Sequence, residues 1–110
     1  MTDTRLNGVI RAFEAGKPAF TCFSKVDKLT AQELTDAPYD GIVFEMEHNP
    51  YDVGGLGDAL QYMLNRKKIA ESGAVAPSVT PLARIPANGA EMNQFQAKQV
   101  IYPQCESINI

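Results

Sequence analysis

The sequence predicts an α/β fold built on a parallel sheet, and three observations predict it. Apolar runs of strand length recur at residues 19–23, 41–46 and 79–85. The first two are apolar almost throughout, the pattern of strands buried on both faces. Helix-type patterns separate and flank them, and strands alternating with helices imply right-handed parallel crossovers.

The elements follow in order. Residues 5 to 15 read as a helix with Leu6, Val9, Ile10 and Phe13 on one face; Gly16 stops it and Pro18 lies beyond. Residues 19 to 23 form the first strand. Residues 26 to 36 are a second helix, with Thr30 and Glu33 at capping-box spacing and Pro38 closing it. Residues 41 to 46 are the second strand, followed by a loop carrying Asn49-Pro50 and Gly54-Gly55. Leu56, Ala59, Leu60, Met63 and Leu64 trace a core-facing helical stripe, and Arg66-Lys67-Lys68 gives that helix a basic C-terminal end suited to its dipole. Residues 72 to 78 are a loop. The third strand spans 79 to 85, with Pro81 near its start. Asn88 and Glu91 open a last helix to about residue 100, and residues 101 to 110 show no pattern.

Composition narrows the function. The 110 residues contain 10 Lys and Arg against 13 Asp and Glu, a net charge of −3. That balance lacks the basic stripe of a nucleic-acid binder and the polybasic patch of a lipid binder. No apolar run approaches the roughly 20 residues of a membrane span. Residues 1 to 5 lead into no apolar segment of signal type. Cys22 and Cys105 lack metal spacing, so a reduced cytoplasmic setting is the expectation. Cys22 reads as a packed, inert thiol.

Chemistry in parallel α/β folds gathers at the C-terminal ends of the strands. Two features fall there: Glu45-Met46-Glu47-His48 after the second strand, and Arg84 at the end of the third. His48, the sole histidine, can take or give a proton near neutral pH. Glu45 and Glu47 share one side of an extended chain, where either can orient the imidazole. Arg84 offers a fork of donors to a carboxylate or a developing oxyanion. The plainer alternatives are a polar loop histidine, an ion-paired arginine and solvated strand-end carboxylates. Gly54, Gly55 and Gly57 fit neither dinucleotide nor Walker spacing and read as a flexible helix entry.

These residues resemble the HpcH/HpaI aldolase/citrate lyase family. The likeness lies in the opening from Asn7 to Gly16-Lys17-Pro18, and in Glu47-His48-Asn49-Pro50 after a hydrophobic strand. It continues in Leu82-Ala83-Arg84-Ile85-Pro86 with Asn88, and in Lys98-Gln99-Val100. The resemblance implies the N-terminal three strand–helix units of a TIM-type (β/α)8 barrel over residues 1 to 101, with a divergent tail at 102 to 110. It implies a metal-dependent carbon–carbon lyase acting on 2-oxo acids or aldehydes through a pyruvate enolate. His48 would be the base and Arg84 the cation stabilising the enolate. Glu47 would sit near the metal-bound water, and Glu45 would support the histidine. The cofactor implied is a divalent ion, Mg or Mn, whose family ligands match no residue of this sequence. Where the family carries a supporting Asp, this sequence has Tyr102.

A complete barrel takes about 250 residues. The sequence therefore predicts an incomplete barrel with open sheet edges, marginal on its own or dependent on another copy in a homo-oligomer. The second functional reading is accordingly a catalytically inactive barrel fragment that pairs with a longer copy. A third, an open α/β binding module with an anion site at residues 54 to 57, ranks below both.

Overall fold

The computed structural model describes residues 5 to 87. The elements run α1 (Gly8–Glu14), β1 (Thr21–Ser24), α2 (Lys28–Leu34), β2 (Gly41–Glu45), α3 (Val53–Tyr62), α4 (Arg66–Ser72) and β3 (Thr80–Arg84). The three strands form one parallel sheet in the order β1-β2-β3. Phe23 pairs with Val43 and Val43 with Leu82, so the register is continuous across the sheet. The predicted helix at 88–100 and the tail at 101–110 lie outside the described residues.

Side chains alternate across a strand, and the two faces of this sheet have different fates. Ile42, Phe44, Met46, Ala83 and Ile85 pack with Ala31 of α2 and with Leu56, Ala59, Leu60 and Met63 along α3 and its end. Phe44, Ile42 and Leu56 are fully buried, each contributing about 1.5–3 kcal/mol of transfer free energy. On the other face lie Phe23, Val43, Leu82, Glu45 and Arg84. Leu82 is buried there, beside Gly41, where a Cβ would sit 2.7 Å from Leu82 Cδ1 and 3.2 Å from Val9 Cγ2. Phe23 stays 64% exposed. The first strand is therefore not buried on both faces, as its composition predicts. Among the described residues it is a sheet edge covered by helices on one side only.

α1 lies against the N-terminal ends of β2 and β3. Its N–H at Gly8 donates to Thr80 Oγ1 at 2.7 Å. A side chain at Gly8 would press on Asp40 O at 3.0 Å, so the absence of a Cβ allows this approach. The helix starts three residues later than its apolar spacing predicts, because Asn7 Oδ1 caps it by accepting from the N–H groups of Val9 and Ile10. The predicted apolar face is also only partly used: Ile10 and Phe13 are exposed. At the other end Gly16 is left-handed at φ 71°. The N–H groups of Gly16 and Lys17 donate to Phe13 O and Ala12 O, closing a Schellman turn where the sequence places the stop.

Three further boundaries differ from the sequence expectation, each through a capping side chain. α2 is capped by Asp27, whose Oδ2 accepts from Thr30 N–H at 2.9 Å and Thr30 Oγ1 at 2.6 Å, so Thr30 is capped rather than capping. α3 begins at Val53, capped by Asp52 at Gly55 N–H, and takes Gly54, Gly55 and Gly57 into its first turns. Arg66-Lys67-Lys68 does not end the preceding helix: Asn65 Oδ1 accepts from Lys68 N–H and starts α4. These cations thus stand at the positive end of a helix dipole. Lys68 is held there by Asp36 at 2.7 Å.

At the start of the sheet, Asp40 ties all three strands. Its N–H donates to Phe20 O, its O accepts from Thr80 N–H, and its Oδ2 accepts from Phe20 N–H. Because Thr80 and Arg84 turn their backbones toward β2, the nitrogen of Pro81 faces the opposite edge of β3, which pairs with no strand among the described residues, so the proline costs no ladder bond there. No helix among the described residues is long and apolar enough to cross a membrane.

Candidate functional site

The register sets the site. Glu45 and Arg84 are Cα partners at the C-terminal ends of β2 and β3. They stand on the face that α2 and α3 leave uncovered. All four residues singled out from the sequence, Glu45, Glu47, His48 and Arg84, come together here.

Glu45 is the buried member, 8% exposed. Its Oε1 accepts from the backbone N–H of Glu47 at 2.6 Å and of His48 at 3.2 Å. Its Oε2 accepts from Arg84 Nη1 at 2.9 Å. One carboxylate thereby fixes both the turn that leaves β2 and the arginine across from it. Burial pushes the Glu45 carboxyl up, but the two amides and the Arg84 charge outweigh it and hold the group below its ordinary value. Burial likewise pulls Arg84 down, and the charges of Glu45 and Glu47 outweigh that and raise it.

Glu47 completes the clamp, its Oε2 accepting from Arg84 Nε at 2.7 Å. The guanidinium also lies over the Phe23 ring, 5.6 Å from Cζ to centroid. Nε and Nη1 are thus committed, while Nη2 makes no hydrogen bond among the described residues. The His48 side chain is 68% exposed, with Nε2 3.6 Å from Glu47 Oε1 and Nδ1 3.9 Å from Glu45 Oε2. Those distances exceed hydrogen-bond length. Glu45 therefore steadies His48 through its backbone amide, and the imidazole stands within ion-pair range of both carboxylates.

Phe23 is the member of this constellation that sequence reasoning passes over. Its composition signal is that of a core strand. Only the pairing of Phe23 with Val43, next to Glu45 in the same row of side chains, reveals it.

One guanidinium against two carboxylates leaves the cluster a net negative charge when His48 is neutral. Glu45, Glu47 and His48 each offer a ligand atom within 4.8 Å of one another, a group able to hold a metal ion. Arg84 and the two amides, however, already engage both oxygens of Glu45 and one of Glu47. Glu47 Oε1 and the imidazole are what remains, short of the ligand number a Mg or Mn ion takes. The described residues do not by themselves form a complete cage for such an ion.

The glycine-rich segment 54 to 57 has no comparable arrangement. The Gly55 N–H is taken by Asp52, and a carboxylate at that helix start opposes an incoming anion. In comparisons with known proteins, no family model, no curated protein and no solved structure matches this chain.

Proposed function

We propose that the chain carries the base-and-cation half of a carbon–carbon lyase site, of the class II aldolase type acting on 2-oxo acids, on a sheet of (β/α)8-barrel kind. The resemblance to the HpcH/HpaI aldolase/citrate lyase family motivates this reading. One observation carries it: the Glu47 carboxylate stands between Arg84 Nε at 2.7 Å and His48 Nε2 at 3.6 Å. A proton acceptor and a fixed cation therefore share one mouth of a parallel sheet.

In this reading the exposed His48 imidazole takes the proton from the C4 hydroxyl of a 4-hydroxy-2-oxo acid. The C4–O bond becomes a carbonyl as the C3–C4 bond breaks. The electron pair moves onto C3 and the C2 oxygen as an enolate. Arg84 Nη2 donates to that oxygen, and its guanidinium is held in place beforehand by Glu45 and Glu47, so little reorganisation is needed as charge develops. A proton delivered to C3 then gives pyruvate, and the other product leaves as the aldehyde. The reading implies a divalent ion, Mg or Mn, which would supply further stabilisation of the enolate charge. No step above runs through it.

The test is pyruvate release from a 4-hydroxy-2-oxo acid by the whole chain, with and without added Mg or Mn. Wild type should turn over, and His48→Ala should lose on the order of 10²–10⁴-fold in rate. A wild-type chain without turnover under any of these conditions overturns the catalytic reading. A second reading, a non-catalytic unit that pairs with another copy, is favoured by the exposed Phe23 and by the free edges of β1 and β3 among the described residues. Sedimentation would then show an oligomer with no turnover.

A further inference from the structure

We infer that Phe23 is the specificity-determining platform of this site, and that the ligand it selects is a 2-oxo acid bearing an aromatic ring or a bulky apolar group. The inference rests on the reading of Arg84 as the seat of the 2-oxo acid head. It adds the part of the ligand that this reading leaves open.

Phe23 is a large aromatic side chain left 64% exposed on the open sheet face. It lies one row below Glu45 and Arg84, alongside the half-buried Val43. Its ring is not isolated. The Arg84 guanidinium packs over it at 5.6 Å, and that guanidinium is in turn pinned by Glu45 at 2.9 Å and Glu47 at 2.7 Å. A platform and a cation of fixed mutual position are what a ligand with an anionic or carbonyl head and an apolar body recognises. A head hydrogen-bonded at Nη2 places the next two or three carbons of the ligand beside the cation that covers Phe23, within reach of the uncovered part of the ring. A methyl group there covers little of the ring, whereas a phenyl group stacks on it and removes apolar surface from water on both partners.

Calorimetric titration of the whole chain with phenylpyruvate and with pyruvate tests this directly. The two ligands carry the same 2-oxo acid head, so the negative charge of the Glu45–Glu47–Arg84 cluster affects both alike and the ratio reports the ring contact. Wild type should bind phenylpyruvate about tenfold more tightly than pyruvate. Phe23→Ala should bring the ratio close to one, and Phe23→Tyr, which keeps the ring, should retain it. Equal affinity for the two ligands in wild type overturns the platform, as does a preference that survives Phe23→Ala, or a failure of both ligands to bind. His48→Ala separates this inference from the lyase reading, since it should abolish turnover and leave the binding ratio intact. A wild-type chain with the ratio but no turnover keeps the platform and loses the lyase. A chain that turns over without the ratio does the reverse.

Discussion

Glu45 and Arg84 are register partners on neighbouring parallel strands, and their side chains meet at 2.9 Å above the same sheet face. The pairing follows from topology: the residue four along from Gly41 on β2 faces the residue four along from Thr80 on β3. What the sequence adds is opposite charge at both positions and a second carboxylate, Glu47, two residues on. The result is an arginine whose orientation is set by two elements at once. The buried carboxylate between them makes the site and the stability of the sheet parts of one electrostatic unit.

The first prediction concerns acid. The Glu45 carboxyl is held below its unfolded value of 4.5 in the native state. A group with a depressed native pKa stabilises the fold above its unfolded value, and that contribution fades as pH falls through the native value. At neutral pH, Glu45→Gln should therefore cost about 2 kcal/mol, the scale of a lost hydrogen bond to a charged group. Urea titrations at pH 7 and at pH 3 should show this gap narrowing with acid. A gap of equal size at both values would show that the carboxylate charge plays no part.

His48 should behave in the opposite way. Its side chain is 68% exposed and makes no hydrogen bond among the described residues, the Glu47 carboxylate standing 3.6 Å away. His48→Gln should change stability by no more than about 0.5 kcal/mol, as surface substitutions do, while removing the proton acceptor of the proposed reaction. Thermal melts that drop by many degrees would mean that the imidazole is structural, and the loss of activity would then say nothing about a base.

The parallel strand–helix order, the core stripe of α3, the Gly16 stop and the convergence of Glu45, Glu47, His48 and Arg84 at the strand ends were legible in the sequence, because periodicity and charge report them locally. The boundaries were less so, since Asn7, Asp27, Asp52 and Asn65 compete as caps and local pattern ranks them poorly. Arg66-Lys67-Lys68 illustrates the cost: basic residues after an apolar stripe suit a helix end, yet Asn65 starts a new helix there. Phe23 was misread for a different reason. An apolar strand looks the same whether both faces are covered or one, and only the placement of α2 and α3 on a single face decides between them.

The break between α3 and α4 yields the third prediction. Asn65 Oδ1 satisfies the Lys68 N–H at 3.1 Å, and three cations follow at a helix start where the dipole opposes them. Asn65→Ala should cost about 1 kcal/mol, and Asn65→Asp should keep the cap while adding a favourable negative charge. Denaturant midpoints should therefore fall in the order Asp, Asn, Ala. An alanine variant as stable as wild type would mean that the helix start is held by packing and not by its cap.

The last prediction tests how α1 is seated. Gly41 opens β2 with no side chain, and a Cβ there would lie 2.7 Å from Leu82 Cδ1, 3.1 Å from Thr80 O and 3.2 Å from Val9 Cγ2. Two of these neighbours are side-chain atoms able to shift, but Thr80 O belongs to the backbone of β3. Relief must therefore come from Leu82 and Val9, which together seal the face beneath α1. Gly41→Ala should destabilise the fold by about 1–3 kcal/mol through overpacking. The double variant Gly41→Ala with Leu82→Val, which removes one methylene at the clash, should recover part of the loss. If the double variant is as unstable as the sum of the two single changes, the contact between residues 41 and 82 does not govern how α1 meets the sheet.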